Sequence, residues 1–78
     1  MEKLLNDLKA AVDLSKSAKS PGTRDFHSRA ASALFGCILR SNQQIQQTNR
    51  YGTARHRAAY GFIRQAVQIY HGKDIGEY

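Results

Sequence analysis

The stretch Thr48–Gly72, TNRYGTARHRAAYGFIRQAVQIYHG, constrains what this chain folds into more than any other. Ala59, Phe62, Ile63, Ala66, Val67 and Tyr70 recur at the three-, four- and seven-residue steps of one buried helical stripe. At ~100° per residue, Arg57, Gly61, Arg64 and Gln68 fall on another side. A helix divided in this way needs packing partners for its apolar face. It leaves its arginine face for solvent or for an anionic ligand.

The rest of the chain supplies two such partners. Residues 2–18 read as a first helix, with Leu4, Leu5, Leu8, Ala11, Val12 and Ser15 on one face. Asp7, Lys9, Asp13 and Lys16 occupy much of its remainder and read as a solvated mixed-charge surface. The run SAKSPG breaks that helix. Either Ser20 caps a new helix starting at Pro21, or Thr23 caps one starting at Arg24. The second helix is expected over about residues 22–47. Its apolar positions (Phe26, Ala30, Ala31, Ala33, Leu34, Phe35, Cys37, Ile38, Leu39 and Ile45) cover well over half of the helical circumference. So wide an arc calls for contact with both neighbours or with a second copy of the chain. The polar remainder holds Arg29, Ser32, Gly36, Arg40, Gln43 and Gln47.

A turn is expected within Thr48–Gly52, with Thr48, Asn49 or Thr53 as the cap of a third helix over about residues 50–71. An early start at residue 50 puts Arg50 in line with Arg57 and Arg64 at seven-residue spacing. Gly72 is a natural left-handed terminator, and residues 73–78 read as a short flexible tail. The expected architecture is therefore an all-α bundle of three helices in one domain, the long second helix central. Seventy-eight residues bury a core of only about 3–5 kcal/mol net stability, and a single cysteine permits no intrachain disulfide. Homodimerisation is the readiest additional source of stability. Cys37 alone also points to a reducing compartment. With no signal-like or membrane-spanning run, a cytoplasmic location is expected.

The formal net charge of +6 is unevenly placed. All arginines lie between residues 24 and 64, opposed there only by Asp25, and every lysine lies outside that segment. Arginine is the better donor to carboxylate and phosphate, so the asymmetry points to an acidic protein surface or a nucleic acid as partner. The candidate contact residues are Arg29, Gly36, Arg40, Arg50, Arg57, Gly61, Arg64 and Gln68. Gly36 and Gly61 stand out because glycine inside a helix costs about 1 kcal/mol relative to alanine. Two explanations stay open: close approach of a partner between flanking arginines, or close packing of helix on helix.

No catalytic constellation is recognisable. The acids Glu2, Asp7, Asp13, Asp25, Asp74 and Glu77 are scattered, and Cys37 sits on the apolar arc as an inert core thiol. His27 and His56 fall near apolar faces; a metal would need three converging ligands, with Cys37 the possible third, and satisfied interfacial histidines are the expected reading. No metal or cofactor is expected. Small intracellular chains of this kind are commonly adaptors or inhibitors, phage- and plasmid-type inhibitors of host machinery among them. The leading expectation is a non-enzymatic regulatory protein docking its arginine face on an acidic partner protein. The alternative is a nucleic-acid or nucleotide-phosphate binder using the same face, although no glycine-rich phosphate loop, sheet motif or zinc spacing supports it.

Overall fold

The computed structural model describes residues 1–72; the expected tail 73–78 lies outside them. The chain forms three helices: α1 (Glu2–Ser17), α2 (Pro21–Thr48) and α3 (Ala54–His71). No strand occurs among the described residues. Each pair of helices is in contact, with α2 holding the larger shares, so α2 is central as its wide apolar arc requires. The body is a rod of 46 × 23 × 17 Å.

Local chemistry sets the boundaries. Ser20 is the cap of α2: its Oγ accepts from the Thr23 backbone N–H at 3.2 Å, and Pro21 occupies the first turn. This selects Ser20 over Thr23. Thr53 caps α3, its Oγ1 accepting from the His56 N–H at 3.3 Å. The same hydroxyl donates to the Arg50 carbonyl at 2.8 Å. The Thr53 N–H also returns to that carbonyl at 3.2 Å across Gly52, which has φ +87°. A positive φ at the third position marks a type II turn over Arg50–Thr53, with Tyr51 at its second position. Gly72 closes α3 in the left-handed conformation, its N–H bonded to the Gln68 carbonyl at 2.9 Å.

The core is thin. Leu5, Leu8, Ala11, Ala31, Ile38 and Ala66 form its centre, with Leu4, Val12, Leu34, Phe35, Phe62 and Tyr70 packed around them. Phe35 of α2 and Tyr70 of α3 stack face to face, ring centroids 4.4 Å apart and 8° from parallel. Ser15 and Ser28 join α1 to α2 through a 2.8 Å hydroxyl–hydroxyl bond.

Three expectations for α2 need correction. Phe26 is 69% exposed and Ile45 36% exposed, and Ala33 is also exposed, so none of them belongs to the core. Phe26 and Ala33 lie on the side of the helix turned away from Ala31 and Ile38. Ile45 lies in phase with the core but beyond its reach. Met1 sits beside Asn42, so α2 runs past the start of α1 there. At ~1.5 Å per residue, α1 is simply too short to cover it. Asn42, absent from the apolar arc, is instead completely buried.

Candidate functional site

The α3 part of the candidate site comes together as one surface. Ala59, Ala66 and Val67 mark the buried line of α3. Arg57, Gly61, Arg64 and Gln68 lie opposite it, within about 60° of arc at ~100° per residue. Arg57, Arg64 and Gln68 are exposed and Gly61 is partly so. The two guanidinium-bearing positions are separated by about 10 Å along the axis, two helical turns. Arg55 takes no part; it shares a shallow groove with Asn42, Ile45 and Phe62 on the α2 side.

The remaining candidates do not join this surface. Arg29, Gly36 and Arg40 lie on α2 opposite its own buried line of Ala31, Ile38 and Asn42. The three helices pack about a common core, so the outward lines of α2 and α3 diverge. Two separate stripes result. Arg50 falls out of line for a different reason. The Thr53 cap starts α3 at Ala54 rather than at residue 50, and Arg50 sits in the preceding turn. The expected Arg50–Arg57–Arg64 row is thus reduced to its last two members.

The two helical glycines also part company. A Cβ at position 36 would stand 3.1 Å from Arg40 Nη1, so the space beside Gly36 is filled by a side chain of its own helix. Among the described residues, nothing lies within 4 Å of the position that a Cβ would take at Gly61. Neither glycine packs against a neighbouring helix. Only Gly61 leaves an open notch between two arginines.

Two features escaped sequence reasoning. Lys9 and Lys16 of α1 line a groove of about 320 Å³ with Asp13, Gln65 and Gln68, so α1 continues the cationic surface beyond the C-terminal half of α3. Their seven-residue spacing, the same as that of Arg57 and Arg64, was the available signal. The second feature lies at the other end of α3. Tyr51, Gly52, His56, Arg57 and Tyr60 surround a cleft of about 310 Å³. The Tyr51 and His56 rings meet there at 5.0 Å and 60°. These residues are brought together by the type II turn, which periodicity along a helix does not reveal.

Among the described residues, no group of three His, Cys, Asp or Glu side chains is placed to hold a metal ion. Cys37 is a free, partly buried thiol on α2. No described helix is long and apolar enough to cross a membrane. Comparison with protein-family models, with curated proteins and with solved structures finds no match to this chain.

Proposed function

We propose that the chain is a small non-enzymatic regulatory protein that docks the outer stripe of α3 on an acidic protein surface. The observation supporting this is the open notch at Gly61 between exposed Arg57 and Arg64. A bare glycine there lets a partner backbone reach the α3 axis while carboxylates meet a guanidinium on either side. Gln68 adds a neutral donor and acceptor, and Lys9 and Lys16 extend the positive field. Tyrosine and arginine are also the residue types that dominate protein interfaces, and Tyr60 stands 48% exposed near this stripe.

Self-association in the cytoplasm completes the reading. The groove lined by Ile45, Ala58 and Phe62, left open beyond the start of α1, gives a second copy an apolar surface to cover. Light scattering at a monomer mass across micromolar concentrations overturns the homodimer.

The docking reading is tested by affinity capture from lysate treated with nuclease, comparing the native chain with Arg57→Glu/Arg64→Glu. The expected result is a protein retained after nuclease treatment by the native chain and lost with the double charge reversal. Retention of nucleic acid alone, or equal protein capture by both forms, overturns it.

A further inference from the structure

The cleft at the start of α3 combines features that the docking stripe does not need. Tyr51 is 88% exposed at the second position of the turn, and Tyr60 is 48% exposed one turn beyond His56. Two large rings left in water around a cavity of about 310 Å³ invite a flat apolar occupant. That size lies at the lower end of the ~300–1,000 Å³ typical of small-ligand sites. The cleft's lining and the chain around it carry positive charge. Arg57 lines the cleft, Arg50 and Arg55 flank it in sequence, and no acidic residue occurs between Asp25 and Asp74. A cationic ligand, the usual guest of an aromatic cage, meets repulsion here. An occupant that is planar at one end and anionic at the other meets both requirements.

We infer that this cleft binds a nucleotide unit, its base stacked on Tyr51 and Tyr60 and its phosphate held by Arg57. The chemistry is that of single-strand recognition, in which aromatic side chains take successive bases and an adjacent cation takes the backbone. The Thr53 cap fastens the turn that carries Tyr51 to the start of α3, because its hydroxyl ties the Arg50 carbonyl to the His56 N–H. The inference shares Arg57 and Tyr60 with docking on an acidic protein, and two other residues separate it from that reading. Arg64 serves that stripe and does not line the cleft, whereas Tyr51 lines the cleft and lies off the stripe.

The chain contains no tryptophan, so its intrinsic fluorescence is that of tyrosine, and quenching beyond that of a free tyrosine control reports contact with its rings. Titration with uridine monophosphate and with an eight-nucleotide oligothymidylate distinguishes a free nucleotide from a unit of a strand. Saturable quenching by either supports the site, and the tighter ligand identifies the source. Tyr51→Ala is expected to weaken binding about tenfold with an unchanged melting curve, since an exposed turn side chain contributes little to folding. Tyr51→Phe is expected to retain binding. Arg57→Gln is expected to weaken uridine monophosphate but to leave the much weaker binding of uridine unchanged. Absence of saturable binding by both ligands overturns the inference. So does binding unchanged by Tyr51→Ala, or equal binding of duplex DNA, whose bases are not available for stacking.

Discussion

The Asn42 side-chain amide donates a 2.7 Å hydrogen bond to the Ile38 carbonyl, while its own oxygen is buried without a donor among the described residues. Asn42 is completely inaccessible, and its second contact, to Met1 Sδ at 3.6 Å, also involves the amide nitrogen. Turning the carboxamide over would set oxygen against the Ile38 carbonyl, so the orientation is fixed and the orphan acceptor remains. A buried unpaired polar group costs about 1–3 kcal/mol, against about 0.5–1.5 kcal/mol gained from the one good bond. Asn42→Leu is therefore expected to stabilise the fold by about 1 kcal/mol, raising the melting temperature by about 4–8 °C for a domain of this size. The open groove beside Asn42, Ile45 and Phe62 gives the larger side chain room. A lowered midpoint in thermal or urea denaturation contradicts this account of Asn42.

Glycine-to-alanine substitutions should have opposite signs at two positions. Gly61 is helical, lacks a positive φ and has open space at its Cβ position, so Gly61→Ala should gain about 1 kcal/mol from backbone entropy. Gly52 also has open space, yet its φ of +87° strains any L side chain. Gly52→Ala should lose about 1 kcal/mol. Urea titration of both variants checks the signs. The Gly61 variant carries a second readout, because the docking proposal expects it to fold better and capture its partner less well. Unchanged capture removes the notch from the mechanism.

How much of this was legible beforehand follows from the range of each interaction. The α3 stripe was, because period and phase are properties of one helix: Ala59, Ala66 and Val67 are buried as the spacing demands. The Gly72 terminator was legible for the same local reason. Asn42 was not, because its burial involves Met1, just ahead of α1, reaching across to α2, a contact between distant parts of the chain. Phe26 failed in the opposite direction. Its type suits a core, but its phase puts it outside, where its ring meets His27. Arg50 depended on a single boundary, and three plausible caps were available within Thr48–Thr53. The Tyr51 cleft needed the turn itself: a third helix started at residue 50 includes Tyr51 as a helical position, whereas α3 begins at Ala54 and leaves Tyr51 in the turn before it.

The Phe35–Tyr70 stack should carry a measurable pairwise energy. Its 4.4 Å separation and near-parallel rings hold the end of α3 against the middle of α2. Aromatic pairs contribute about 0.5–1.5 kcal/mol beyond the area that they bury. A double-mutant cycle with Phe35→Leu and Tyr70→Leu is expected to give a coupling of about 1 kcal/mol by chemical denaturation. Each single change should destabilise by more than that, through lost packing. Strict additivity of the two changes means that the rings are neighbours without mutual preference.

Thr53 connects stability to the proposed nucleotide cleft. Its hydroxyl both accepts from the His56 N–H and donates to the Arg50 carbonyl, so one oxygen starts α3 and closes the turn that carries Tyr51. Removing a cap of this kind costs about 1 kcal/mol, with a range of ~0.5–2 kcal/mol. Thr53→Ala should therefore lower the melting temperature by several degrees. Its local signature should be faster amide exchange at His56, while Ala66 and Val67 deep in α3 keep protection that falls only with global stability. Thr53→Ser retains the oxygen and is expected to restore both the His56 protection and most of the lost stability. Equal exchange at His56 in the alanine and native chains means that the cap does not hold the turn. Tyr51 would then reach the cleft without being positioned by Thr53, and any nucleotide affinity should be insensitive to this substitution.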